Sequence, residues 1–187
     1  GTDNMNIAFD IDGVFTDFEK FLNIIGTKYM SNKVILKEYP VEYSPSFAKR
    51  YGCSREQEKK FYGRYLLWYS KNFPMRENVA GVIHQLHKQG HKIYIITGRA
   101  LSNENNILGT IMRRTVKRWL RTNRIEYDGI YFVATENSST EKRAICKKLH
   151  IDYMVEDDPG NIESISSVCN IICLDADYNR ELNVKHA

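Results

Sequence analysis

The chain has 187 residues, of which 42% are hydrophobic and 27% charged, with a formal net charge of +4. These proportions fit one globular domain, or a core plus a small insertion, and exclude a disordered or low-complexity chain. No stretch reaches the roughly 18 apolar residues of a membrane span, and the scattered positive charge suits a small anion better than a nucleic-acid polymer.

Gly1 to Asn4 precede Met5 and are set aside as linker sequence, with no apolar signal region behind them. Ile7-Ala8-Phe9 is a short apolar run that predicts a buried strand. Asp10-Ile11-Asp12-Gly13 follows at once. Side chains at i and i+2 of a regular strand share a face, so Asp10 and Asp12 are expected to reach one site. A plain turn is the simpler alternative, because Asp-Gly is a common turn dipeptide.

From Thr16 to Met75 the chain does not read as sheet. Phe18 to Ile25 has apolar residues at helical spacing, with Asp17 as a cap. Val34 to Tyr43 is short and mixed, with Pro40 and Pro45 as breakers. Ser46 to Gly52 predicts a short helix ended by glycine. Ser54-Arg55-Glu56-Gln57 has the form of a capping box. It opens a helix through about Lys71, with Phe61, Tyr65, Leu66 and either Trp68 or Tyr69 on one stripe. Packing is the simplest use of that stripe. The alternative is a lid, with Phe18, Phe47, Tyr65 and Trp68 available to stack on a flat ring.

After Pro74 the pattern becomes regular. Glu77 to Lys88 is amphipathic through Val79, Val82, Ile83 and Leu86, and Gly90 stops it. Lys92 to Ile96 is a strand ending in Thr97-Gly98-Arg99. Leu108 to Arg124 is a helix, with Ile111, Val116, Trp119 and Leu120 as its apolar stripe. The basic run from Arg113 to Arg118 alternates with apolar residues and reads as a solvated helix face. Gly129 to Val133 is a third strand, and Ser139 or Thr140 caps a helix through Leu149. Ile151 to Val155 is a fourth strand ending in Glu156-Asp157-Asp158-Pro159-Gly160. A short helix near Asn161 to Ser167 leads to a fifth strand, Asn170 to Leu174, and no final helix is evident after Asn183. Strands alternating with helices imply right-handed crossovers and a parallel sheet covered on both faces. The four cysteines form no C-x-x-C pair and no zinc-site spacing, which fits a reducing cytoplasm.

In a parallel sheet all strand C-termini lie on one edge, so the polar residues just past the strands should converge. Asp10 and Asp12 follow the first strand, Thr97 the second, and Glu156 and Asp157 the fourth. Lys142 opens the helix after the third. Each has a bland reading singly, but together they suit phosphoryl transfer. A carboxylate nucleophile splits one hard displacement into two easier ones. Mg²⁺ takes oxygen ligands and bridges carboxylates to a phosphate. A hydroxyl, an ammonium and backbone N–H groups can hold the non-bridging oxygens.

The set Asp10-x-Asp12-Gly13-Val14, strand-terminal Thr97, Lys142 and Glu156-Asp157 resembles the haloacid dehalogenase (HAD) superfamily of phosphohydrolases over essentially the whole chain. The resemblance implies a Rossmann-like α/β core at 1–15 and 76–187, with a C1-type helical cap inserted at 16–75. It implies Asp10 as nucleophile and Asp12 as general acid, then general base. Asp10, the main-chain carbonyl of Asp12, and Asp157 would bind Mg²⁺, with Glu156 and Arg99 in support. Thr97, Gly98 and Lys142 would hold the phosphoryl group. Dehalogenase members lack an acid at the Asp12 position, so a phosphatase is implied. The cap size, Thr97-Gly98-Arg99, Val155-Glu156-Asp157 and Asp177-Tyr178-Asn179-Arg180 most resemble the 5′(3′)-deoxyribonucleotidase branch. The expected partner is a small phosphorylated substrate, with a nucleotide the leading candidate and a sugar phosphate the next. A non-catalytic phosphate binder on the same fold is the alternative of another class.

Overall fold

A computed structural model describes residues 4–32 and 38–187. Expectations for Gly1 to Asp3 and for Val34 to Lys37 lie outside the described residues. Six strands form one parallel sheet: β1 (Asn6–Phe9), β2 (Lys92–Thr97), β3 (Gly129–Phe132), β4 (Tyr153–Glu156), β5 (Asn170–Cys173) and β6 (Lys185–His186). Their order is β3-β2-β1-β4-β5-β6. The winding therefore reverses between β1 and β4. Open α/β sheets bind ligands at the carboxyl ends of the strands beside such a reversal.

Alternate residues of strands β1 to β5 enter two apolar clusters, as the pleat requires. Ile7, Phe9, Ile93, Ile95 and Val155 join one cluster. Ala8, Ile96, Met154 and Ile171 join the other. Helices α5 (Val79–Lys88) and α6 (Ile107–Thr122) cover the first face through Ile83, Met112, Val116 and Leu120. Helices α7 (Ser138–Lys148) and α8 (Pro159–Ile165) cover the second through Cys146, Ile162 and Ile165.

Some boundaries and faces differ from the periodic reading. β4 starts at Tyr153 rather than Ile151, because the Ile151 N–H closes the end of α7 on the Cys146 carbonyl. Ile111 is 43% exposed, and Met112 fills the buried position, in step with Val116 and Leu120 at i+4 and i+8. Val82 likewise faces out. β6, two residues long, pairs with β5 where no element was expected; such a length carries no periodic signal.

Between β1 and α5 the regular elements described are all helical: α1 (Phe18–Phe21), a π-helical stretch (Leu22–Gly26), α2 (Thr27–Ser31), α3 (Phe47–Tyr51) and α4 (Arg55–Asn72). The caps are those the sequence offers. Asp17, Ser46 and Ser54 each accept from the N–H three residues on, and Gly52 ends α3 in the left-handed region. Most of the aromatic stripe is packing. Phe47 and Phe61 are fully buried and stack at 4.1 Å, so Phe47 cannot meet a ligand. Tyr69 faces inward, while Trp68 is 46% exposed. Phe47, Phe61 and Tyr69 share one apolar cluster with the sheet.

The segment leaves and rejoins the sheet at one place. The Arg76 N–H donates to the Phe15 carbonyl at 2.8 Å, and its Nη2 to the Gly13 carbonyl at 3.2 Å. A second tie is Arg50 of α3, fully buried. Its guanidinium grips both carboxylate oxygens of Asp177, at 2.6 and 3.1 Å, and donates to Asn23 Oδ1 at 2.7 Å. Asp177 lies on the loop after β5. A bidentate pair of this kind fixes orientation as well as distance.

Candidate active site

The loop after β1 folds back on one carbonyl. The N–H groups of Val14, Phe15 and Thr16 all point to the Ile11 oxygen, at 3.0, 2.8 and 3.2 Å. This tight winding ends the strand at Phe9, so Asp10 and Asp12 do not continue as a regular strand. Asp10 still donates its N–H to the Val155 carbonyl at 3.0 Å, which anchors it against β4. The two carboxylates then part company, each with its own set of partners.

Asp10 sits 6% exposed beside Lys142, whose Nζ is 3.1 Å from Asp10 Oδ1 and 2.9 Å from Glu156 Oε2. Lys142 is itself buried, in the second turn of α7. Asp10, Glu156 and Asp157 offer carboxylate oxygens within 4.8 Å of one another. Three carboxylates thus cluster, and two of them, Asp10 and Glu156, meet the Lys142 ammonium. Burial and then the Glu156 charge push Asp10 well above the usual carboxylate range, with Lys142 pulling the other way. Burial and the charges of Asp10 and Glu156 push Asp157 up in the same way. Burial also works against the Glu156 charge, but Lys142 and hydrogen bonds with Asp10 and Asp157 hold it below its ordinary value. Its Oε1 accepts from the N–H groups of Asp157 and Asp158 at 3.0 and 3.3 Å. Lys142 keeps its proton because the two carboxylates outweigh its burial.

Asp157 is bracketed from the loop after β5. Tyr178 donates its hydroxyl to Asp157 Oδ2. Asn179 Nδ2 donates to the Asp157 carbonyl at 2.9 Å and to the Leu174 carbonyl at 2.8 Å. On its other side is Gly13, where a Cβ would lie 1.8 Å from Asp157 Oδ2. Gly13 also has φ +85°, a region that a side chain strains by roughly 1–2 kcal/mol. Gly13→Ala is therefore expected to displace Asp157 and to lower the melting temperature. Thermal melts check this, and an unchanged melting temperature would refute it.

Asp12 stands apart from the acidic cluster. Arg99 donates Nε to Asp12 Oδ2 at 3.1 Å and Nη2 to Oδ1 at 2.7 Å. Tyr69 of α4 donates its hydroxyl to Oδ1 at 2.6 Å. Thr97, at the end of β2, is fully buried, and its hydroxyl has no hydrogen-bond partner among the described residues. An unmade buried hydrogen bond costs about 1–3 kcal/mol, so a free hydroxyl at this edge suits an incoming oxygen acceptor. The Gly98 carbonyl accepts from Thr135 Oγ1 at 3.2 Å.

The structure thus brings Asp10, Lys142, Glu156 and Asp157 together. It places Asp12 and Arg99 as an ion pair on the same sheet edge, with Thr97 on the strand next to β1. The resemblance assigned a main-chain carbonyl of Asp12 to the cation; the side-chain cluster contains Glu156 in addition to Asp10 and Asp157. Tyr69, Tyr178 and Asn179 were not singled out as site residues. Tyr69 lay in the aromatic stripe, where its hydroxyl was its one distinguishing signal. An all-oxygen carboxylate set suits a hard cation such as Mg²⁺. The cradle at Gly13 and the excess of carboxylate over ammonium fit that group.

No protein-family model matches the chain. A nucleotidase of Clostridium acetobutylicum is 25% identical over 180 residues, which cover 96% of this chain and 84% of that protein. A predicted phosphoglycolate phosphatase from Haemophilus somnus superposes with a TM-score of 0.59 at 14% identity, over 99% of this chain and 94% of its own. A HAD-superfamily hydrolase from Geobacter sulfurreducens superposes with a TM-score of 0.55 at 10% identity, over 98% and 90%. The chain has the Rossmann-like fold of the HAD-superfamily hydrolases. Among the described residues no helix is long and apolar enough to cross a membrane.

Proposed function

We propose that this protein is a Mg²⁺-dependent phosphomonoesterase that forms an aspartyl phosphate on Asp10, with a nucleotide as the leading substrate candidate. The observation that carries this is the division of labour between two acids two residues apart. Asp10 is buried against Lys142 within the acidic cluster. Asp12 is held outside it, partly open to solvent, by Arg99. A simple phosphate binder has no use for that second, separately held carboxylate.

In this reading Asp10 attacks phosphorus, the ester P–O bond breaks, and Asp12 gives its proton to the departing alkoxide. A water then attacks the aspartyl phosphate, Asp12 takes its proton, and inorganic phosphate leaves with Asp10 restored. Thr97, the Gly98 region and Lys142 hold the non-bridging oxygens. Asp10, Asp157 and the Asp12 main-chain carbonyl would hold Mg²⁺, with Glu156 in support. Bound Mg²⁺ supplies the positive charge that lets an anionic nucleophile meet an anionic phosphate. Helices α1 to α4, residues 16–75, serve as the cap over a core of 1–15 and 76–187. Among the described residues no disulfide joins the four cysteines, in keeping with a cytoplasmic enzyme. The nucleotide preference draws on the nucleotidase name of the C. acetobutylicum relative.

The test is turnover of p-nitrophenyl phosphate with and without Mg²⁺, followed by a panel of nucleoside and sugar monophosphates. Mg²⁺-dependent release of phosphate is expected, with a nucleoside monophosphate giving the highest kcat/KM. A sugar phosphate preferred over every nucleotide would sink the nucleotidase assignment. No turnover by folded protein would leave phosphate binding in its place.

A further inference from the structure

We propose that Tyr69, on the long helix α4, is a positioning residue that sets the proton-transfer geometry of Asp12. The proposal rests on the phosphomonoesterase reading above. α4 reaches the site with two consecutive side chains. The Tyr69 hydroxyl donates to Asp12 Oδ1 at 2.6 Å. Ser70 Oγ accepts from Arg99 Nη1 at 2.7 Å and passes its own proton to the Leu66 carbonyl at 2.8 Å. One turn of one helix therefore holds both members of the Asp12–Arg99 pair. The Arg99 guanidinium also lies over the Tyr69 ring, 5.0 Å from its centre.

The hydrogen bonds have a single consistent direction. Tyr69 spends its one proton on Asp12, so Thr16, 2.6 Å away, donates its hydroxyl to the Tyr69 oxygen. Thr16 lies where the chain leaves the sheet for the helical segment. Burial, and then the Asp12 charge, push the phenol's ionisation far above its usual range, so Tyr69 stays a donor.

This arrangement distinguishes the two oxygens of Asp12. Oδ1 is taken by Tyr69 and by Arg99 Nη2. Among the described residues, Oδ2 has only Arg99 Nε, at 3.1 Å. Oδ2 thus keeps a free lone pair and is the oxygen that moves the proton. A neutral phenol can fix Oδ1 without adding a second positive charge to that of Arg99. Because Tyr69 arrives on α4, the acid of the sheet is completed by the helical segment.

The test separates positioning from packing by leaving-group chemistry. Tyr69→Phe keeps the ring against Phe21 and Phe73, 4.5 and 5.0 Å away, and removes only the hydroxyl. kcat/KM reports phosphoryl transfer to Asp10 and loss of the leaving group. An alkoxide needs a proton as it leaves; p-nitrophenolate does not. The loss in kcat/KM is expected to be at least about tenfold greater for an alkyl phosphate than for p-nitrophenyl phosphate, since acid catalysis contributes roughly 10²–10⁴-fold. In an Asp12→Asn background the same change should add no further preference, because the two residues act as one unit. Equal losses on the two esters, or additive losses in the double variant, would overturn the proposal while leaving the phosphatase reading intact. A wild-type protein that hydrolyses neither ester would overturn both.

Discussion

Asp10→Asn is expected to abolish turnover and, at the same time, to raise the melting temperature of the metal-free protein. The first half follows from chemistry. An amide cannot attack phosphorus, and loss of a covalent nucleophile typically costs on the order of 10⁴-fold or more. The second half follows from charge. Asp10, Glu156 and Asp157 crowd together, only Asp10 and Glu156 pair with Lys142, and burial with the Glu156 charge already drives Asp10 toward its protonated form. Asparagine has nearly the same shape, still offers an oxygen to Lys142, and removes one repelling charge. Sites built for catalysis commonly give up stability in this way. Activity on p-nitrophenyl phosphate and a thermal melt without Mg²⁺ measure the two halves. Retained turnover would reject Asp10 as the nucleophile. A lowered melting temperature would reject mutual repulsion as the dominant force in the cluster.

The convergence of Asp10, Lys142, Glu156 and Asp157 was legible because it depends on topology rather than on packing detail. Once strands and helices alternate, a parallel sheet gathers every strand end on one edge. Residues just past β1 and β4 must then be neighbours, whatever the side chains between them do. Lys142 was the harder member, since a lysine early in a helix more often faces water; only its two carboxylate partners explain its burial. The aromatic stripe of α4 was legible as a stripe but not in its rotation, so Trp68 and Tyr69 could not be told apart. That choice decides which one meets Asp12, and it is made by Phe18, Phe21 and Phe73 packing around Tyr69. The bracket of Tyr178 and Asn179 on Asp157 joins residues 21 and 22 positions apart across β5. No local spacing announces it. Arg99 presents the same limit, because its fork needs a carboxylate and the chain holds 23 acidic residues. Its partner is chosen by the loop that follows β1.

The metal-free protein is expected to lose stability as pH rises from about 5 to 8, and Mg²⁺ is expected to remove most of that slope. Asp10 and Asp157 both have ionisations raised above the unfolded value, by burial and by neighbouring carboxylates. The stability linked to such a group is complete below its unfolded pKa near 4 and is lost as pH climbs through its folded value. Glu156 has the opposite sign: it is lowered, so its contribution is present above about pH 4 and disappears only in acid. Lys142 is raised and keeps its charge throughout this window. Asp10 and Asp157 therefore set the direction between pH 5 and 8, and Asp158, Glu19 and His186, whose ionisations are also raised, act with the same sign. A divalent cation binds the deprotonated carboxylates, so it competes with their protons and binds more strongly as pH rises. Its stabilisation follows RT ln(1 + [L]/Kd), about 2.7 kcal/mol at a hundredfold excess over Kd. Thermal melts at several pH values, with and without Mg²⁺, should converge at pH 5 and separate at pH 8. Asp10→Asn should make the metal-free curve shallower and shrink the separation, because it deletes one of the raised carboxylates and one proposed ligand together. A metal-free protein that gains stability with pH would contradict the charge arrangement around Lys142. So would a Mg²⁺ shift of equal size at pH 5 and pH 8.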